Sequence, residues 1–421
     1  MGRTPAKDKQ DRRPWPSVRS PHRQRAHDEA HEDEAPPPAV LEHDLVPGGP
    51  IETVSDAAGL AGLIDTLRSA GRFGYDTEFI GEQTFYPRFC LIQVATAERV
   101  WLIDVLSEGV DLKPFWELLA DPSVEVLCHA GLQDLEPVLR HTGRPVGKVY
   151  DTQIAAAFAG LPWPVSLGNL CEELLGADLG KSSKFSRWDR RPLTETQRGY
   201  AANDVRYLVR LREVLGEKLD ALGHTAKAEA EFRGFNDPST YRADPLSMKL
   251  KAKGAGSMKR REQAVADALL VWRAEVAERR DVPMRVLLDD QTLVDLARSP
   301  VADAGAVRKF KGLSWPVKRD YAEALAEVTV AALGGPLPKR RKGYKPLSEA
   351  AQARLESAWD AGRAHCEAAS ISPSIVFTKK ELTALVRAAE KGKPVPDLRV
   401  TSGWRGALMG EVWGDLLRRG G

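Results

Sequence analysis

The sequence predicts an α/β domain built on a mixed sheet, followed by a second half that is entirely helical. Short apolar runs typical of strands occur in the first half, near 72–79, 89–96, 99–105, 124–129 and 148–151. The first three runs lie too close together for helical crossovers, so we expect them to pair antiparallel. The later runs alternate with helical patterns and can pair in parallel. Beyond about residue 236, apolar residues recur only at helical spacing.

The N-terminal segment, residues 1–50, is rich in Pro, Arg, His, Asp and Glu and has almost no aliphatic periodicity. Such a composition cannot repay the entropy cost of folding. We therefore expect a disordered, solubilising tail over 1–50.

Composition sets the broad class of the protein. The chain has 421 residues, 43% of them hydrophobic, which is enough for two or three domains. Its four cysteines lie far apart without paired spacing, which indicates neither a disulfide framework nor a zinc site. We expect a cytoplasmic protein with no membrane segment, because no apolar stretch approaches 20 residues and the N-terminus lacks a signal-peptide core.

Acidic residues in three separate segments are the candidate functional residues. Asp76 and Glu78 alternate along the strand predicted over 72–79 and therefore share one face. Asp134 follows an apolar run and opens a predicted helix, a common place for an active-site acid in an α/β sheet. Tyr200 and Asp204 lie four residues apart in a helical pattern, which places them one turn apart on one face.

This set of side chains predicts a metal-dependent phosphodiesterase. Several acids around one cleft repel one another unless hard divalent cations bind them, and carboxylate oxygens are the ligands that Mg²⁺ or Mn²⁺ prefers. Two such ions about 4 Å apart can activate a water and stabilise the leaving oxygen of a phosphodiester. Each acid alone is more often a strand-edge or helix-end residue, so the prediction depends on their combination. We interpret His129 as a structural histidine whose hydrogen-bonding needs are met within the protein, and Asp151 as a helix cap.

Three segments resemble the exonuclease motifs of the ribonuclease D family, which belongs to the DEDDy 3′-to-5′ exonucleases. They are "YDTEF…TFYPRFCLIQVAT", "VLCHAGLQDLEPVL" and "SRWDRRPLTETQRGYAANDVRYLVRL". The resemblance covers about 51–222. It implies a ribonuclease H-like exonuclease core, two divalent metal ions and no small-molecule cofactor. The implied reaction removes nucleoside 5′-monophosphates from RNA 3′ ends, with tRNA precursors as the partner RNA.

The resemblance also implies a role for each residue of the set. Asp76, Glu78 and Asp204 would ligate the metal ions. Asp134 would hold the second ion, directly or through water. Tyr200 would position the nucleophilic water, which places the chain in the tyrosine subclass.

The helical half predicts two further modules. Residues 257–333 resemble an HRDC domain, and 346–421 resemble a second, degenerate copy. The residues that suggest the repeat are Trp272, Pro283 and Leu293, which are echoed about 90 residues later by Trp359, Pro373 and Leu382. We expect an exonuclease domain over 51–235 and basic linkers over 236–256 and 334–345.

Basic runs are candidate RNA contacts. One run lies just before Tyr200 and consists of Lys181, Lys184, Arg187, Arg190 and Arg191 around Trp188. It could guide the 3′ strand into the cleft, with Phe185 or Trp188 as a stacking surface. The basic linkers are either solvated segments or phosphate contacts, and the basic start of the tail is an alternative RNA-tethering arm.

Two other functions fit the same sequence. Related exonucleases with the same acids act on DNA, and no residue here identifies a contact to the 2′-hydroxyl. A non-hydrolysing RNA-binding protein is the second alternative. The intact set of acids argues against it, because a binding protein has no physical need of mutually repelling carboxylates.

Overall fold

The computed structural model describes residues 39–81, 83–180, 187–242, 244–338 and 346–418. These residues form two compact units. A nuclease unit contains the described residues of 34–78, 89–241 and 344–421. A helical unit contains those of 79–88 and 242–343.

The sheet of the nuclease unit has six strands, in the order β1-β4-β3-β2-β5-β6. Strand β4 is antiparallel to β3, whereas β1 with β4, β2 with β5 and β5 with β6 are parallel. The mixed sheet predicted from the sequence is therefore confirmed. The strands are β1 (Ile51–Val54), β2 (Arg72–Ile80), β3 (Arg88–Ala95), β4 (Val100–Ile103), β5 (Glu125–Cys128) and β6 (Lys148–Asp151).

Helices cover both faces of this sheet, because the strands present apolar side chains alternately to two separate cores. One core contains α1, α2 and α3, and the other contains α4, α5, α7 and α8. The helical run predicted from 194 to 222 divides at Tyr207 into α6 and α7. These helices are α1 (Ala57–Ala70), α2 (Lys113–Leu119), α3 (Leu132–Thr142), α4 (Thr152–Phe158), α5 (Leu167–Leu175), α6 (Glu195–Arg206), α7 (Leu208–Ala221) and α8 (Thr225–Phe232).

The N-terminal edge of this unit differs from the prediction in two ways. Strand β1 was not predicted. Residues 39–50 also belong to the folded unit rather than to the expected disordered tail: Val46 is buried, and Leu41 and Leu45 pack against the core. The Pro47 carbonyl accepts a hydrogen bond of 2.6 Å from buried Arg206. The remainder of the expected tail lies outside the described residues.

The helical unit has a core of its own, formed by apolar side chains from its six α-helices. These helices are α9 (Arg260–Arg280), α10 (Met284–Leu287), α11 (Asp290–Arg298), α12 (Ala304–Lys309), α13 (Trp315–Asp320) and α14 (Ala322–Gly334). The unit also includes the loop that follows β2. The backbone N–H groups of Phe85 and Tyr86 each donate to Asp281 Oδ1 at 3.1 Å.

The last helices of the chain belong to the nuclease unit. They are α15 (Glu349–Ala368), α16 (Pro373–Val376), α17 (Lys379–Ala389) and α18 (Gly403–Arg418). Their apolar residues, among them Phe377 and Trp413, join the core that contains α4 and α7. Short 3₁₀ turns complete the described chain at Arg233–Asn236, Pro238–Tyr241, Pro245–Ser247, Ala255–Ser257 and Arg399–Thr401.

Among the described residues, none of the helices has the length and apolar character needed to span a bilayer.

Candidate active site

Strand β2 separates two sets of side chains on its opposite faces. Phe73 and Tyr75 are fully buried in the core that contains α1, α2 and α3. The alternation of a strand therefore directs Asp76 and Glu78 to the opposite face. Both of these acids are only partly buried. The sequence-based prediction of a two-carboxylate face corresponds to this arrangement.

A glycine allows the helix that carries Asp204 to approach this face. A Cβ atom on Gly74 would lie 2.7 Å from the Val205 carbonyl oxygen and 3.2 Å from Leu208 Cδ1. Because Gly74 lies two residues before Asp76, it shares that face of β2. The end of α6 can therefore pack directly against the strand. A capping box between Thr194 and Gln197 fixes the start of the same helix.

Three of the predicted acids meet at this junction. One carboxylate oxygen from each of Asp76, Glu78 and Asp204 lies within 4.8 Å of the others. All three side chains are partly accessible. The structure therefore brings the acids of β2 and α6 together into one group of carboxylates.

Asp134 lies beside this group but is not part of it. It is in the first turn of α3, where it is 9% exposed. Thr77 Oγ1 donates a short hydrogen bond to Asp134 Oδ1. The Tyr75 hydroxyl donates to the Asp134 carbonyl oxygen at 2.7 Å. The buried face of β2 thus positions the fourth acid, while the opposite face carries two of the other three.

Asp151 supports the turn that leads into α3. It caps α4 by accepting hydrogen bonds from the N–H groups of Gln153 and Ile154, as predicted. It also accepts from the N–H groups of Ala130 and Gly131, both at 3.2 Å. Asp151 therefore orients the segment that begins the Asp134 helix.

His129 is a structural histidine with hydrogen-bond partners inside the protein, as we interpreted it. Its Nδ1 lies 2.9 Å from Thr152 Oγ1, and its Nε2 lies 2.9 Å from the Val165 carbonyl oxygen. Burial lowers the pKa of His129. Both ring nitrogens are thus occupied by structural contacts.

Burial and mutual repulsion raise the pKa values of the clustered acids. Burial first, and then the charges of Asp204 and Asp134, raise the pKa of Glu78 to about 8. Burial and then the neighbouring carboxylates raise the pKa of Asp76 well above its ordinary value. Burial also raises the pKa of Asp134, although the hydrogen bond from Thr77 opposes that shift. This group of carboxylates therefore favours either bound protons or bound cations.

The donor set fits hard divalent cations. Oxygen atoms of carboxylates suit Mg²⁺ or Mn²⁺, whereas zinc sites usually include cysteine or histidine. The group of Asp76, Glu78 and Asp204 contains neither. Asp76, Glu78 and Asp204 could hold a first ion, and Asp134 is close enough to influence the pKa values of two of these acids.

Tyr200 lies on α6 one turn before Asp204, as predicted. Its ring packs beside Trp188, with 6.2 Å between the ring centroids. Trp188 is only 2% exposed. The expectation that Trp188 provides a stacking surface for a base is therefore wrong, because its faces are already buried in the protein. Its position instead supports the Tyr200 ring.

The predicted basic run is only partly described. Lys181, Lys184 and Phe185 lie outside the described residues. Arg187 forms two hydrogen bonds of 3.0 Å with Asp189, while Arg190 is exposed. These two arginines remain candidates for RNA contact.

Arg191, the next basic residue, has a structural role. Its Nε and Nη2 donate to the two carboxylate oxygens of Asp104 at 2.7 and 2.8 Å. Nη2 also donates to the Cys90 carbonyl oxygen at 2.6 Å. Arg191 thus fastens the segment before α6 to strand β3 and to the residue that follows β4.

Comparison with known proteins identifies the families of two regions. Residues 51–220 match the family model of the 3′-5′ exonuclease, and residues 262–329 match that of the HRDC domain. The chain is 34% identical to ribonuclease D of Gluconacetobacter diazotrophicus, over 85% of this chain and 90% of that protein. It is 32% identical to ribonuclease D of Granulibacter bethesdensis, over the same shares of the two chains.

A solved structure supports the same conclusion. The crystal structure of Escherichia coli RNase D, an exoribonuclease involved in structured RNA processing, is 29% identical and superimposes with a TM-score of 0.72. The match covers 88% of this chain and 99% of the E. coli protein. The ribonuclease H-like core with a helical HRDC domain is thereby confirmed. On these comparisons and on its exonuclease and HRDC regions, the chain belongs to the ribonuclease D family.

Proposed function

We propose that this chain is a metal-dependent 3′-to-5′ exoribonuclease that trims the 3′ ends of structured RNA, including tRNA precursors. It releases nucleoside 5′-monophosphates. The observation that carries the proposal is the group of three carboxylates from β2 and α6, in a chain of the ribonuclease D family. Ribonuclease D relatives and the 3′-5′ exonuclease model support the exoribonuclease activity itself.

We assign each side chain a role from its position and from the family resemblance. Asp76, Glu78 and Asp204 would hold divalent cations, Mg²⁺ or Mn²⁺, and Asp134 would hold the second cation directly or through water. When bound, two such ions would polarise the scissile phosphate and activate the attacking water. Thr77 keeps the Asp134 carboxylate in place through its hydrogen bond.

Tyr200 orients the water for attack. Tyr200 is on the same helical face as Asp204, and the buried Trp188 ring beside it limits the movement of its side chain. A fixed phenol lowers the entropy cost of bringing water into line with the phosphate.

The reaction is tested with a 5′-labelled single-stranded RNA and its DNA counterpart, each incubated with Mg²⁺, with Mn²⁺ and with EDTA. We expect a metal-dependent ladder that shortens from the 3′ end of RNA and is absent with EDTA. A faster ladder on DNA would assign the chain to DNA exonucleases. Binding without cleavage under every metal would make it a non-hydrolysing RNA-binding protein.

The carboxylate roles are tested with Asp76→Asn. We expect hydrolysis to fall to about one hundredth or less, because metal-ion catalysis supplies several kcal/mol. RNA affinity should stay close to that of the wild type. Asp65→Asn, at an exposed position of α1, is the matched control and should retain full activity. Loss of RNA binding in step with activity would refute the metal-ligand assignment.

The role of Tyr200 is tested with Tyr200→Phe. Loss of the hydroxyl should slow the single-turnover rate about 10- to 100-fold, as misplacement of a reacting group does, while metal affinity is preserved. An unchanged single-turnover rate would remove Tyr200 from the mechanism.

A further inference from the structure

The helical unit exposes one tryptophan on its surface. Trp315 is 67% exposed, whereas Trp272 in the same unit is 7% exposed. Burying a tryptophan normally stabilises a protein by removing a large apolar surface from water. An open indole therefore offers a large flat surface for a ligand.

The local structure holds this indole outward. Trp315 is the first residue of α13, and the next two residues, Pro316 and Val317, are buried in the unit. Val317 is part of the helical unit's own core. The two buried neighbours fix the start of the helix against that core, so its first side chain projects from the surface.

An arginine lies on the ring and is itself held in position. The Arg319 guanidinium carbon is 4.5 Å from the centroid of the Trp315 ring. Arg319 Nε donates to Asp320 Oδ1 at 2.6 Å, and its Nη2 donates to the other carboxylate oxygen. Asp320 is buried. The buried carboxylate thus orients the guanidinium, and the guanidinium orients the indole before any ligand binds.

The surrounding sequence is strongly basic. Residues 304–319 contain five basic residues and no acidic residue, namely Arg308, Lys309, Lys311, Lys318 and Arg319. Lys309 and Lys311 are exposed. Arg308 pairs with Glu323, so the lysines contribute most of the uncompensated charge of this segment.

We propose that Trp315 and Arg319 form a base-stacking site for single-stranded RNA, with Lys309, Lys311 and Lys318 contacting its phosphates. This inference rests on the proposed function, since it places part of the RNA on the helical unit. A flat ring with a stacked guanidinium fits a nucleobase, and lysines fit the flanking phosphates. An acidic protein segment would use the charges but has no need of the open indole.

The test measures binding of the full chain to a 5′-fluorescein-labelled oligoadenylate by anisotropy, in EDTA so that hydrolysis does not interfere. Trp315→Ala should raise Kd about tenfold, because stacking on an aromatic side chain contributes roughly 1–3 kcal/mol per base. Trp315→Phe should retain most of the affinity. Trp315→Leu, which keeps apolar bulk without a π face, should behave like Trp315→Ala. Val330→Ala, at another exposed apolar position of the unit, should bind like the wild type.

Salt dependence separates stacking from charge. Lys318→Gln should reduce the slope of the log binding constant against the log salt concentration by about 1, which corresponds to one lost phosphate contact. Trp315→Ala should leave that slope unchanged. If Trp315→Ala or Trp315→Leu binds RNA as tightly as Val330→Ala, the inference is overturned. It is also overturned if Trp315→Ala loses affinity for polyglutamate but not for RNA. Wild-type protein that binds RNA through Trp315 but fails to hydrolyse it with Mg²⁺ or Mn²⁺ would refute the proposed function alone.

Discussion

Two helical regions follow the nuclease sequence, and they are alike in local structure but different in what they pack against. Each begins with a long helix, α9 of 21 residues and α15 of 20 residues, followed by a four-residue helix and then an amphipathic helix. A residue with left-handed backbone follows each long helix within two positions, Asp281 at φ 50° after α9 and Ser370 at φ 52° after α15. The residue after each left-handed residue donates its N–H to the carbonyl oxygen five residues earlier, as in a Schellman motif.

The packing of the two regions differs. The first region buries its apolar residues in a core that it does not share with the sheet. The second region shares its core with α4 and α7 of the nuclease. Trp404 packs edge-to-face on Phe158 with 5.0 Å between ring centroids, and the Ser372 N–H donates to the Ala157 carbonyl oxygen at 2.7 Å.

One arrangement of helices can thus form either an independent module or part of another domain's core. We propose that 346–421 is a diverged HRDC-like copy whose apolar face has become part of the nuclease unit. A domain boundary at residue 346 then describes local similarity but not a separate folding unit.

The largest expected effect is on isolated fragments. A fragment of residues 244–338 should fold by itself, because it retains its whole core. In a chain that ends at residue 343, the helical unit should still fold, but the nuclease unit should fail to fold stably. It loses Phe377, Trp413 and their neighbours, and each such loss costs about 3–5 kcal/mol against a total stability of only about 5–15 kcal/mol. Circular dichroism melts check both fragments. A second transition of the truncated chain near the wild-type Tm, beyond the transition of the 244–338 fragment, would contradict the shared core.

A second prediction concerns the ion pair that joins the second region to α8. Arg405 donates to both carboxylate oxygens of Glu231, at 2.9 and 2.7 Å, and its side chain is 7% exposed. Arg405→Met should lower the free energy of unfolding by about 3 kcal/mol, because Glu231 keeps its charge but loses its cationic partner and retains only the hydrogen bond from Trp404. Arg363→Met breaks an exposed pair with Glu367 and should cost under about 0.5 kcal/mol. Urea denaturation measures both changes. Equal losses would show that the Arg405–Glu231 pair stabilises the protein no more than an exposed ion pair.

The same pair predicts a pH dependence. Burial raises the pKa of Glu231, but hydrogen bonds from Arg405 and Trp404 overcome this effect and hold it below its usual value. A lowered carboxyl pKa contributes stability above the unfolded-state value, and that stability is lost as the pH falls through the folded-state value. The stability difference between wild type and Arg405→Met should therefore narrow below roughly pH 4. Urea denaturation from pH 3 to pH 7 checks this, and a constant difference would contradict the assignment.

The smallest expected effects concern the turns at Ser370 and Asp281, which follow the two long helices. Ser370→Gly should stabilise the protein by about 0.5–1 kcal/mol, because glycine accepts a positive φ without strain. Asp281→Gly gains the same relief but loses the two hydrogen bonds from Phe85 and Tyr86, so its net effect should be near zero or destabilising. Thermal melts of the two variants give the comparison. Equal stabilisation would show that the contacts of Asp281 contribute nothing.

Local periodicity predicted the elements that carry the acids. Alternation along β2 and the four-residue spacing on α6 gave the directions of Asp76 and Asp204 correctly. Contacts between distant segments could not be predicted in this way. Strand β1 has only four residues and depends on its parallel partner β4. The burial of Trp188 and the bond from Thr77 to Asp134 likewise arise only when separate segments pack together.

Gly74 is a position where the active site could be disrupted without changing its charge. Substituting a carboxylate removes activity but also changes the charge that RNA and metal ions meet. Adding one methyl group at Gly74 would push the end of α6 away from β2, because the Val205 carbonyl oxygen lies 2.7 Å from the new atom. Gly74→Ala would thus spread the carboxylates apart while keeping all of them. It should give an inactive enzyme of native charge, suitable for trapping RNA substrates.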